Sequence, residues 1–113
     1  MLECRTQGDA HVVKVTIQQL NSSVAGTFRT QVLDAVKDGA GPVVLNLGSV
    51  EFVDSSGVGA MVAILKALDK GRTMVLASPQ APVQSLLELT RMDKIFRVYD
   101  SEDTAIGSFA ATS

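Results

Sequence analysis

The chain has 113 residues, 46% hydrophobic and 19% charged, with a net charge of −2, enough to bury about two thirds of the surface its unfolded form would expose. This composition excludes an intrinsically disordered chain, and no apolar run is long enough to cross a bilayer. Lysines and arginines are scattered among the acids, which excludes the basic stripe that grips nucleic acid or an anionic membrane. A single domain spanning residues 1–113 is expected, acting on a protein partner or a small ligand.

The start of the chain lacks the charged-then-apolar pattern of a signal peptide, and the single cysteine, Cys4, rules out an internal disulfide. A reducing, cytoplasmic setting is the expectation. Cys4 lies in residues 2–7, a weak strand candidate that reads as an edge strand with a structural thiol. The next strand, "HVVKVTI" (11–17), opens on His11, the only histidine. With no second His or Cys to share a metal, His11 reads as a solvated residue at a strand start, and no metal site is expected.

Asn21, Ser22 and Ser23 then lead into a helix that places Val24, Phe28, Val32, Ala35 and Val36 on one face and stops at Gly39. The serines are of the capping type. "PVVLNL" (42–47) is a strand. "VEFVDSSGVGAMV" (50–62) begins as a strand and ends in a second helix, predicted over about 56–70, with Val58, Met61, Val62, Leu65 and Leu68 at helical steps. Its other side holds Ala60, Ala63, Ile64 and Ala67, so it should be well buried or meet a partner. "TMVLAS" (73–78) is a further strand. A helix over about 82–91 begins with Pro82 and repeats Val83, Leu86, Leu87 and Thr90. A weak strand at 95–99 and a helix capped by Asp100 or Ser101 complete the chain. Strands alternating with helices imply crossovers, hence an α/β domain with a mostly parallel sheet and about four helices. In such sheets function collects at the carboxyl ends of the strands, where "VDSSG" falls.

At that turn one of Asp54 and Ser55 should be the N-cap, with Gly57 and Gly59 keeping the first helical turn bare. Free amides and the helix dipole stabilise a negative group there by roughly 0.3–1 kcal/mol. One reading is that Asp54 and Ser55 are plain caps and the glycines let the helix approach the sheet. A hydrolase elbow would need glycine two residues before the nucleophile, but Val53 precedes Ser55, Asp54 precedes Ser56, and the base would have to be His11. A phospho-accepting Asp54 would want acidic metal ligands after an early strand, and "QQLN" stands there instead. A phosphate-binding loop would need "GxxxxGK[ST]", whereas Lys66 and Lys70 lie far along the helix. No catalytic residue and no cofactor are therefore expected. A small-anion site remains as a minor reading. The other option is a serine that accepts phosphate, adding about −1.5 to −2 charges beside Asp54 and at the edge of Gly57, Val58, Gly59 and Ala60. A partner packed on that patch would be repelled while the fold survived.

The stretch "VVLNLGSVEFVDSSGVGAMVAILKAL", the strand "TMVLAS" and the tail "VQSLLELTRMDKIFRVYDSEDTAI" resemble the STAS domain of anti-sigma-factor antagonists over residues 11 to 108. The resemblance implies the STAS fold and a protein that binds rather than catalyses. By resemblance, the unphosphorylated form binds an ATP-dependent serine kinase that is also an anti-sigma factor. Phosphorylation of Ser55 releases it, and a serine phosphatase reverses the mark. Asp54 would shape the loop and the kinase contact, with Ser56 a neighbouring hydroxyl and Gly57 the glycine of the motif. Asn21 joins Asp54 to Ala60 as a partner-binding residue, since the loop over 18–21 should lie near Ser55. Family members commonly carry an acidic "G-E-L-D"-like turn where this chain has Gln18 to Asn21. The absent charges leave room for an alternative, a STAS scaffold or transport-complex subunit that is never phosphorylated.

Overall fold

Val44 and Leu45 show how the sheet is built. They are adjacent on one strand and both fully buried, yet they belong to different apolar cores, because successive side chains point to opposite faces. In the computed structural model, which describes residues 1–68 and 71–110, that strand is β4 (Val43–Asn46). It lies at the centre of a five-stranded sheet with β1 (Leu2–Gln7), β2 (Ala10–Val15), β6 (Met74–Ala77) and β7 (Val98–Tyr99), in the order β1-β2-β4-β6-β7. Only β1 runs antiparallel to its neighbour. It joins β2 through a two-residue turn whose first central residue, Gly8, has φ +60°, the conformation a tight hairpin asks of glycine at that position.

β3 (Gln19–Leu20) and β5 (Phe52–Val53) form a separate parallel pair, reached by the chain after it leaves the carboxyl ends of β2 and β4. Between the strands run α1 (Ala25–Val36), α2 (Ser55–Ala67), α3 (Ala81–Leu89), a short 3-10 turn at Met92–Lys94, and α4 (Glu102–Ala110). Phe28, Val32 and Val36 of α1, Met61 and Ile64 of α2, and Val83 and Leu87 of α3 share the larger core with Val13, Leu45 and Leu76. On the other face Ala105 of α4, with Ile106 and Phe109 packed alongside, meets Val12, Val44, Val75 and Ala77. The continuous apolar runs of β4 and β6 follow from burial on both faces.

The α/β class, the mostly parallel sheet and the four helices are as expected, and several local expectations are corrected. Val24, not a serine, is the N-cap of α1 and makes no side-chain cap bond, because the serines are held in the preceding turn. Ala35 is exposed; the buried stripe of α1 runs through Ala25, Phe28, Val32 and Val36. Leu68 is extended (ψ 150°) and ends α2, so the helix stops before the predicted boundary, whose last two residues, Asp69 and Lys70, lie outside the described residues. Thr90 is exposed, its hydroxyl donating to the Leu86 carbonyl at 2.7 Å. His11 is half-buried rather than solvated; its ring lies where a side chain on Gly39 would be, with a built Cβ only 1.8 Å from Nε2.

Candidate functional site

Asp54 succeeds β5 with an extended backbone (φ −101°, ψ −174°) and is the N-cap of α2, the conformation that lets a short acid reach back to its own helix. Its Oδ1 accepts from the Gly57 N–H at 3.0 Å. The other oxygen, Oδ2, accepts from the Ser22 N–H at 3.2 Å, in the turn that leads into α1. Its own N–H donates to the Leu20 carbonyl at 3.2 Å. One residue thereby ties the entrances of two helices and the end of β3 together.

The loop over 18–23 is held against this turn along its length. Glu51 and Phe52 N–H groups donate to the Gln18 carbonyl at 2.7 and 3.2 Å, and β3 pairs with β5 through Gln19–Phe52 and Leu20–Val53. Asn21 organises the turn into α1. Its carbonyl accepts from Val24 and Ala25 N–H at 3.1 and 2.9 Å, and its Oδ1 accepts from the Ser23 N–H at 3.1 Å and the Ser23 hydroxyl at 2.6 Å. Neutral amides suit this role, since Asn21 Nδ2 also faces Gln19 Oε1 at 3.5 Å.

Ser55 is the first residue of α2 and is exposed. Among the described residues its hydroxyl makes no hydrogen bond. Ser56 is half-buried and Gly59 exposed. The other three patch residues correct the expectation of a bare surface: Gly57, Val58 and Ala60 are buried. Gly57 is small because α2 begins against β3, where a built Cβ would stand 2.4 Å from the Leu20 carbonyl oxygen and 2.8 Å from Val53 Cγ1. Val58 and Ala60 join the larger core. Gly59 has nothing within 4 Å of its Cβ position and is the bare glycine of the pair.

The exposed residues of the elements that meet at Asp54 include Ser22 and Ser23 from the lead-in to α1, Ser55 and Gly59 from α2, Gln19 and Glu51, and Phe52, which is 46% exposed. Sequence reasoning missed Phe52. No local pattern marks it: in "VEFV" the two valines are buried and Glu51 and Phe52 are both exposed, so the stretch does not alternate. The named neighbours of Ser55 carry no cation, and the nearest charge in sequence is the carboxylate of Asp54. Among the described residues no group of His, Cys, Asp or Glu is placed to hold a metal, and no helix is long and apolar enough to cross a membrane. Cys4 is exposed, its thiol pushed up by partial burial. A depression of about 550 Å³ lined by Gln7, Asp9, Pro42, Arg72 and Thr73 opens at the amino ends of the parallel strands, opposite the end where α2 begins.

The family model for the STAS domain matches residues 2–105. A Thermotoga maritima protein named as a candidate anti-sigma factor antagonist is 33% identical over 100 residues, spanning 87% of this chain and 88% of that one. The crystal structure of a Thermotoga maritima protein of the same description superposes with a TM-score of 0.82 at 31% identity, covering 95% of this chain and 92% of that one. An anti-sigma F factor antagonist of Paenibacillus polymyxa is 33% identical over 72 residues, 63% of this chain and 62% of that one. The fold is also that of the anti-sigma factor antagonist SpoIIAA solved unphosphorylated (TM-score 0.76, 21% identity, 98% of this chain and 97% of that one) and of the Bacillus SpoIIAA solved phosphorylated (0.67, 18%, 96% and 99%). The match along almost the whole chain, in sequence and in fold, makes this protein a member of the STAS domain family.

Proposed function

We propose that this protein is an anti-sigma factor antagonist whose binding to a serine kinase is switched by phosphorylation of Ser55. The observation that carries the reading is the contrast between Ser55 and its neighbours. Its hydroxyl is exposed and makes no hydrogen bond among the described residues, while Asp54 beside it is fixed by two backbone amides. A kinase can reach the acceptor without unfolding anything. The added charge of about −1.5 to −2 then sits at a helix start that tolerates it, beside a carboxylate that cannot swing away. A partner seated over Ser55, Gly59, Ser22, Ser23 and Phe52 would meet that charge at its contact surface.

In this reading the chain is a single STAS domain that binds and does not catalyse. It works in the cytoplasm with two partners, an ATP-dependent anti-sigma-factor kinase and a phosphatase that restores the binding form. Asp54 acts by holding the loop rather than by offering a free carboxylate. The experiment is to incubate the protein with its cognate kinase and ATP and map the phosphate by mass spectrometry. Phosphate on Ser55, absent from Ser55→Ala, is expected; undiminished phosphorylation of that variant would refute the assignment. Ser55→Asp should bind the kinase at least about tenfold more weakly by calorimetry, about 1.4 kcal/mol, with an unchanged circular dichroism spectrum.

A further inference from the structure

The sheet has two edges, and they are treated differently. β7 offers only Val98 and Tyr99, too short to template another strand. β1 has six residues, keeps an unbroken register with β2, contains neither proline nor bulge, and is exposed from Glu3 to Gln7. Its hydrogen-bonding phase is set by one contact: the Thr16 N–H donates to the Met1 carbonyl at 2.8 Å. Residue 1 therefore faces β2 with its peptide groups. By the alternation of an antiparallel ladder so do Glu3, Arg5 and Gln7, leaving the N–H and C=O of Leu2, Cys4 and Thr6 directed outward.

We propose that this outer edge pairs antiparallel with β1 of a second copy of the chain, in the register that sets Cys4 opposite Cys4. Only even-numbered residues carry outward peptide groups, so a ladder forms only when even residues face even residues. Among the two-fold registers that satisfy this, the one centred on Cys4 sets Leu2 opposite Thr6 and uses all three outward residues of each strand. It also places Glu3 directly opposite Arg5 of the other copy, in both directions, at the closer, non-hydrogen-bonded type of pair. A slip of two residues one way puts Glu3 opposite Glu3, and the other way Arg5 opposite Arg5. Charge thus selects one register and penalises its neighbours.

Both side chains are available. Glu3 is exposed and forms no ion pair among the described residues. Arg5 spends Nη2 on Glu102 at 2.7 Å and keeps Nε and Nη1 for a second carboxylate. One strand pair buries less than the roughly 1,000 Å² of a stable interface, so the dimer forms in concentrated protein and dissociates on dilution.

Sedimentation equilibrium of the full chain, from micromolar to millimolar concentration, tests this. The wild type should show a reversible monomer–dimer equilibrium. Glu3→Lys alone and Arg5→Glu alone should each weaken self-association by about tenfold or more, because each sets like charges opposite one another. An equimolar mixture of the two variants should associate again, since the introduced lysine then faces the introduced glutamate, and the Arg5 kept by one variant faces the Glu3 kept by the other. Glu102→Gln, which breaks the internal partner of Arg5, should leave self-association in place. A short bis-maleimide should cross-link the wild type through Cys4, its only thiol, and fail on the folded Cys4→Ser control. A wild type that stays monomeric at millimolar concentration overturns the proposal, including the case where the edge instead takes a segment of another protein. Self-association that persists in both single variants, or a mixture that fails to associate, overturns it as well.

Discussion

Two glycines two residues apart in α2 should respond to the same substitution with opposite sign. In Gly57→Ala the new methyl would stand 2.4 Å from the Leu20 carbonyl oxygen and within 2.9 Å of Val53 Cγ1 and Leu20 Cγ. The first of these is backbone, fixed by the Asp54 N–H and by the pairing of β3 with β5, so the helix start must move. Overpacking of this kind costs about 1–3 kcal/mol, and an immovable backbone atom argues for the upper end. Against it stands a helix-propensity gain of up to about 1 kcal/mol, leaving a net loss of about 2 kcal/mol. Gly59→Ala meets nothing within 4 Å and keeps only the gain, about 0.5–1 kcal/mol. The variants should therefore differ by close to 3 kcal/mol, a separation of roughly 10 °C in Tm for a domain of this size. Urea unfolding followed by circular dichroism reads the difference as a shift in midpoint at constant slope. Gly57→Ala as stable as the wild type would refute the idea that α2 begins at the closest approach its backbone allows. Destabilisation of both variants alike would refute the distinction between the two glycines.

Asp54→Ala removes the acceptor of two amides and should cost about 1–2 kcal/mol, with faster hydrogen exchange at the Ser22 and Gly57 N–H groups. Asp54→Asn keeps one of those contacts and should lie between. Glu102 accepts from Arg5 and from Asn46 Nδ2, and these contacts, the Arg5 hydrogen bond foremost, hold its carboxyl below the usual range. Because the folded pKa is depressed, the stabilisation is complete above the unfolded value of about 4.3 and fades as pH falls through the folded value. Glu102→Gln should thus be less stable than the wild type near neutrality, by about 1 kcal/mol or less for a pair this exposed, and the gap should close in acid. Phe52→Ser, on the 46% exposed side chain, should weaken kinase binding while costing about 1–2 kcal/mol of stability; unchanged affinity would remove Phe52 from the contact surface.

How much of this was legible in the sequence depended on the length of each element. β4 and β6 are buried on both faces, so their runs of Val, Leu and Met announced central strands without any alternation to find. Phe28, Val32 and Val36 announced α1 by four-residue steps, but Ala35 is compatible with either face and only packing turned it outward. β3 and β5 have two residues each and carry no periodicity, so Leu20 was invisible as the neighbour of Gly57; the sequence allowed either a bare patch or glycines that let the helix approach the sheet, and nothing local separated Gly57, which makes the approach, from Gly59, which is bare. Asp54 was correctly among the candidate caps, since a short acid before a helix has few other uses. Its second oxygen is satisfied by Ser22, thirty-two residues away, and nothing local foretells such a partner. The serines at 22 and 23 looked like caps for the same local reason, and lost that place because Asn21 folds the turn first.

The two faces of the sheet are unequal layers. Three helices share the larger core, whereas α4 alone covers the other side, resting on a few valines and alanines and held at its first turn by Glu102. Free energy of opening tracks buried apolar contact, so α4 should lift as a unit at lower cost than the rest unfolds. Such an opening bares Val12, Val44, Val75 and Ala77 and frees Arg5 from its carboxylate, yet leaves the large core beneath α1 to α3 and the tied entrance of α2 in place. The domain would then hold a small reserve of latent apolar surface on the face away from α2, reachable without loss of its principal core.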